Sequence, residues 1–228
     1  MNEGKFFDSI NRGIKLLRQC ALLESADALN VKNASFNKFS KDFICSSVKN
    51  KYKKTYTLGI ENNDYDILLM DNAFFQFCSE NEKLRFAFYP NPDQVKNYKE
   101  FLSEMGFLDD EVGDAFVEDY HQFLSESDGA ELVYPVRYDY DKSLYIELVH
   151  PVSHIHIGVN NQIRLCCGRE LTPFAFIAII MKNFYPNYWK VMLDDPNLKA
   201  TILLLKKSCT KLSCEVFSID EAEYFFIE

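Results

Sequence analysis

Apolar residues recur at three- and four-residue intervals near the start of the chain. Phe6, Phe7, Ile10, Ile14, Leu17 and Ala21 share one face of a helix predicted over residues 5–23, within an N-terminal helical segment 1–24. A polar stretch follows to Lys41, anchored by Phe36 and Phe39. The pattern then shortens, and residues 43–48, 55–60, 65–70, 73–78 and 84–89 read as strands. Ser79 to Lys83 makes a hairpin between the last two, so residues 54–90 are expected to form an antiparallel meander.

Helical spacing returns after Asn91-Pro92, a cap followed by a proline at the first helical position. Val95, Tyr98, Phe101, Leu102 and Met105 form its apolar stripe, and Gly106 ends it. A second helix from Asp110 carries Val112, Ala115, Phe116, Tyr120 and Phe123, giving a helical hairpin over 91–126. Residues 131–138, 144–149 and 163–167 read as strands. Thr172-Pro173 caps a helix whose Phe174, Phe176, Ile177, Ile180, Met181 and Phe184 leave almost no polar face, as a core helix would. A helix over 197–207 and strand material at 215–217 and 224–227 complete the C-terminal segment 191–228. The expected architecture is a single α+β domain over residues 1–228, an antiparallel sheet with packed helices.

Composition narrows the class. At 228 residues and 47% hydrophobic content the chain can bury a full core. The apolar run Phe174 to Met181 is too short for a bilayer, and Ile14 to Leu23 is broken by Lys15, Arg18 and Gln19. A cytoplasmic protein with no membrane partner is expected. Seven cysteines without CxxC spacing read as thiols in a reducing compartment. A net charge of −9 argues against a broad nucleic-acid surface. The strip Lys49, Lys51, Lys53, Lys54 around Tyr52 and Tyr56 would place alternate lysines on one face of a solvated edge strand.

Candidate chemistry concentrates in His150-Pro151-Val152-Ser153-His154-Ile155-His156-Ile157-Gly158, which holds three of the four histidines. Pro151 excludes helix, so His150 to Ser153 is a turn or an irregular strand entry, and His154 and His156 then share one face of a strand while Ile155 and Ile157 enter the core. The motif admits four readings: histidines satisfied within a turn, a divalent-metal site of His154, His156 and Asp139, general acid–base work on a phosphate or acyl group, or a partner surface.

Upstream, Arg137, Asp139 and Asp141 would share a strand face, though Asp141 to Ser143 is also good turn material. If residues 144–149 are a strand, Asp139 and His150 lie on the order of 20 Å apart, at ~3.3 Å rise per residue. If they form a loop, Asp139 can fold back onto the histidines. The Thr172 helix end could add an anion-binding terminus to the same cleft.

Arg137-Tyr138-Asp139-Tyr140-Asp141, His150-Pro151 with Ser153, His154 and Gly158, then Arg164, Thr172-Pro173, Phe176 and Phe184-Tyr185 resemble the bacterial domain of unknown function 2290 over residues 130–190. The resemblance implies a bacterial origin and a setting among phage-defence genes, with a protein partner from a multi-gene system. It also implies that His150, Ser153 and His154 belong to the pattern more firmly than His156.

The leading expectation is a phosphate-containing substrate, nucleic acid or nucleotide. His154 serves as general acid or base and His150 as its partner, with Ser153 beside them. Arg137 or Arg164 stabilises charge, Asp139 orients a histidine or a metal, and Arg164 and Thr172 contact the substrate. The rival is a non-catalytic, antitoxin-like binding subunit.

Overall fold

The computed structural model describes residues 1–49, 51–93, 98–129, 134–158 and 163–224. The chain begins with α1 (Glu3–Gln19), β1 (Leu23–Ala26), α2 (Lys41–Lys49), α3 (Tyr52–Glu61), β2 (Ile67–Leu69), β3 (Phe74–Glu80) and β4 (Lys83–Tyr89). The helices α4 (Tyr98–Glu104), α5 (Asp109–Val112) and α6 (Val117–Gly129) follow, then β5 (Val136–Tyr140), β6 (Ser153–Ile157), β7 (Ile163–Cys166) and β8 (Arg169–Glu170). The C-terminal part holds α7 (Pro173–Phe184), α8 (Pro186–Asp194), α9 (Pro196–Leu203), α10 (Leu205–Ser208), β9 (Thr210–Lys211) and α11 (Ile219–Tyr224). The fold is α+β, with an N-terminal helix and a seven-stranded sheet whose strands lie in chain order, every neighbouring pair antiparallel.

The two faces of this sheet are covered differently. On one, Phe75, Phe77, Phe86, Phe88 and Tyr138 pack under α1 and α7, with Phe176 meeting Phe75, Phe77 and Phe86 at ring distances of 6.0–6.4 Å. Ser9 of α1 accepts the Phe174 N–H at 2.9 Å and Thr172 accepts that of Ala175, so the start of α7 is already capped. On the other face, Phe39, Phe43, Tyr52 and Tyr56 cover Phe74, Cys78 and Tyr89. That second layer stops at β4. Val136, Tyr138 and Tyr140 of β5 are therefore buried, while Arg137 and Asp139 face a partly open surface.

The fold departs from several expectations. Residues 43–48 and 55–60 lie in helices α2 and α3, so the meander begins at β2 and the lysines share no strand face. Lys51 instead precedes the first turn of α3 without a side-chain capping bond, and Lys53 pairs with Asp93. The reason is visible in the buried set Tyr52, Thr55, Tyr56 and Gly59, whose spacing is helical. Residues 144–149 are a short 3₁₀ turn and a reversal, not a strand. Both edges of β5 are already occupied by β4 and β6, leaving no strand position for this segment. Residues 215–217 are not strand, and Tyr224 ends α11. The expected strand start at 131 and helix residue Val95 lie outside the described residues, as do 225–227.

Candidate functional site

The meander register brings Asp139 and the histidines together. Asp139 stands directly opposite His154 on β6 and Arg85 on β4, while Arg137 stands opposite His156, which in turn faces Arg164 on β7. Cross-strand neighbours on one face approach to about 5 Å, so this pairing builds a polar row across four strands. The loop reading of 144–149 is the one that permits it.

Asp139 is the hub. Its Oδ1 accepts Arg85 Nε–H at 3.1 Å and its Oδ2 accepts Arg137 Nε–H at 2.8 Å, with His156 Nε2 3.4 Å from Oδ2. Burial alone would raise its pKa, but the His156 imidazole and the two guanidinium groups outweigh that and hold the carboxyl well below the usual carboxylate range. Asp139 is thus a fixed anion that aims two arginines.

The three histidines stack in sequence, with ring centroids 5.1 Å apart for His150–His154 and 4.6 Å for His154–His156, both edge to face. His154 and His156 are each only 3% exposed, more buried than Ile155 and Ile157 behind them. Nδ1 of His154 lies 2.8 Å from the Pro151 carbonyl. A carbonyl only accepts, so Nδ1 carries the proton and Nε2 keeps its lone pair. Burial pushes the His154 pKa down to about 4, with His156 and Arg164 adding to the shift and Asp139 opposing it. The ring is neutral at pH 7. Nδ1 of His150 and of His156 are buried with no hydrogen-bond partner among the described residues, which leaves each open to a further polar partner.

Two expected site residues fall elsewhere. Ser153 is fully buried on the opposite face, 3.0 Å from the Tyr138 hydroxyl, and donates to the Arg169 carbonyl at 2.7 Å. Thr172 caps α7 on that same side. Neither reaches the histidine row, because strand alternation sends Ser153 away from His154. Arg164 is exposed at the row's end. Asp141 accepts the N–H and hydroxyl of Ser143 and pairs with Lys83 at 2.8 Å, closing a turn.

Two residues were missed. Arg85 contributes through a register that only the folded sheet defines. Glu221 of α11 is 1% exposed and accepts the Tyr145 hydroxyl at 2.9 Å and the Leu148 N–H at 3.2 Å, fastening the turn that presents His150.

Beside the row lies a cleft of about 270 Å³ between α2, α3 and the sheet, at the small end of ligand pockets. Arg85 and Arg137 form its border toward Asp139, and Phe36, Phe39 and Tyr89 line it. The Arg85 guanidinium sits 5.3 Å above the Phe36 ring. Asp139, His154 and His156 could also hold a metal ion, since one donor atom from each lies within 4.8 Å of the others. Charge weighs against that use: the single carboxylate is already paired with two guanidinium groups. The site carries surplus positive charge, which suits an anion better than a cation.

Among the described residues no helix is long and apolar enough to cross a membrane. No curated protein and no solved structure matches the sequence. A family profile does match, over residues 19–223, well beyond the segment 130–190 that carries the motifs. The chain therefore belongs to the family described as uncharacterized conserved protein (DUF2290).

Proposed function

We propose that this protein binds a phosphate-containing substrate, a nucleotide or nucleic-acid end, at Arg85 and Arg137 and acts on it with His154 as general base. The observation that carries the reading is the Arg85–Asp139–Arg137 arrangement beside a neutral imidazole, in a molecule whose net charge is −9. The two guanidinium groups spend only their Nε–H on Asp139, so their terminal nitrogens can bind phosphate oxygens. His154 would take a proton from the attacking water or hydroxyl, and the arginines would stabilise the developing negative charge. His156, between Asp139 and His154, would hold the row in place. The aromatic lining of the cleft fits a base or another flat group.

The deep burial of His154 and His156 favours a second reading, a binding module in which the histidines only shape the anion site. The cytoplasmic setting and the partner in a defence-type gene system belong to the same proposal. The odd number of cysteines, with no CxxC spacing, supports the first. The exposed turn of Leu144, Ile146, Leu148 and Val149, apolar yet 48–68% exposed, supports a protein partner.

The test is binding and turnover of a panel of nucleotides and aryl phosphates by the full chain, with and without chelator. Arg137→Gln should abolish binding. His154→Ala should leave binding but cut turnover by about 10²–10⁴-fold. Binding without any turnover selects the non-catalytic reading, and no binding of any phosphate compound rejects both. Activity that disappears with chelator and returns with a divalent metal would restore the metal reading.

A further inference from the structure

On the face of the sheet away from the histidines, α7 presents Ala175, Ala178, Ile179 and Lys182 at helical spacing toward α8, α10 and α11. The two alanines are too short to reach the facing elements. They leave a mostly apolar groove of about 610 Å³, well inside the range of small-molecule sites. Trp189, Leu205 and Phe217 form the facing wall. Cys167 lines it as a neutral thiol, its pKa pushed up to about 12 by burial. The polar part of the lining has one sign only: Arg169, Lys182, Lys206 and Lys211, with no acidic side chain. Arg169 is partly committed, donating to the Cys209 carbonyl at 3.0 Å. The three lysines are exposed.

An apolar wall would suit any hydrophobic segment. A rim of four cations on a chain of net charge −9 does not arise from composition, and it selects the occupant. We propose that this groove binds an amphipathic anion, a free alkyl carboxylate whose chain lies along Ala175, Ala178 and Trp189 and whose head group meets Lys182 and Lys206. The site is independent of the histidine row, which lies on the other face of the sheet.

Trp189 is the single tryptophan of the chain, so its emission reports the groove directly. The experiment is titration of the full chain with terminally brominated alkyl carboxylates, below their micelle concentrations, from octanoate upward. Saturable quenching of Trp189 is expected, with affinity rising about fourfold per added methylene, the equivalent of about 0.8 kcal/mol, until the groove is full. The corresponding alkanol should bind at least about tenfold more weakly. Ala178→Phe should fill the groove and abolish quenching. Should that variant fail to fold, Lys182→Glu with Lys206→Glu carries the test, because it should weaken the carboxylate and leave the alkanol unchanged.

Equal affinity for alkanol and carboxylate overturns the proposal, as does quenching that never saturates. It is also overturned if the wild-type protein dimerises in sedimentation and Ala178→Phe makes it monomeric, since the groove would then be an interface between copies of the chain.

Discussion

His154 is a buried base whose protonation state is set by its surroundings. Its Nδ1–H is held by the Pro151 carbonyl, while burial and the neighbouring His156 and Arg164 oppose a second proton. The sign of the resulting pH dependence follows. Unfolded, the ring titrates near 6.5; folded, it titrates at about 4. Between those values the unfolded chain binds more protons, so stability from this residue is complete above about pH 6.5 and falls as the pH drops toward 4. The loss is on the order of 3 kcal/mol. Asp139, held below the usual carboxylate range, adds a further loss at lower pH still. Urea denaturation of wild type at pH 7 and pH 5 should therefore show a marked drop in midpoint. His154→Asn, which cannot gain a charge, should flatten that drop while leaving the acid loss from Asp139. An unchanged pH profile in the variant would place the sensitivity on another group.

Elements decide which of these residues meet. The histidine strand was readable because its alternation and its Pro151 and Gly158 boundaries are local. Its partner was not readable, because whether Asp139 could reach the histidines depended on whether residues 144–149 joined the sheet. Apolar alternation in Leu144, Ile146 and Leu148 imitates a strand, yet these side chains remain exposed, and the segment turns back with Ile146 and His150 exchanging backbone hydrogen bonds at 3.0 and 2.7 Å. In the opposite direction, α2 and α3 looked like strands because Phe43, Ile44, Val48, Tyr52 and Tyr56 are β-favouring types, while their buried subset follows a helical period.

Glu221 shows the cost of local reading most clearly. It lies 73 residues from Leu148, in a segment read as bordering strands, and it holds the turn through the Leu148 amide. Leu148 has φ +58°, a conformation an isolated leucine avoids, so that hydrogen bond has strain to offset. Glu221→Ala should cost about 2 kcal/mol, the value of a hydrogen bond to a charged acceptor. It should also speed hydrogen exchange at the Leu148 amide far more than at the β3–β4 amides. Exchange equal to wild type at Leu148 would mean the turn is fixed by other contacts.

At the scale of the whole molecule, one sheet separates two layers with different duties. The layer of α1 and α7 holds the core and borders the apolar groove, whereas α2 and α3 form the wall of the cleft beside Arg85 and Arg137. Each layer contains one close approach at a glycine, and the two are unequal. A Cβ at Gly13 of α1 would lie 2.2 Å from Ile177 Cδ1, the mobile end of an aliphatic side chain. At Gly59 of α3 it would lie 2.6 Å from the Phe74 ring and 3.0 Å from the Phe43 ring. Replacing glycine by alanine inside a helix gains about 1 kcal/mol of propensity, and overpacking a core costs about 1–3 kcal/mol. For Gly13→Ala the Ile177 methyl can turn aside, so the terms should nearly cancel. For Gly59→Ala neither ring can yield without moving the other, since Phe74 stacks on Tyr89 at 4.7 Å and Phe43 meets both. Gly59→Ala should therefore lower stability by about 1–2 kcal/mol. Because Phe43 and Tyr89 line the cleft, it should also weaken phosphate-ligand binding, whereas Gly13→Ala leaves it unaltered. Thermal melts with and without a bound nucleotide measure both quantities in one experiment. Equal loss of ligand stabilisation in the two variants would show that the layers do not act separately and that the cleft depends on the whole core.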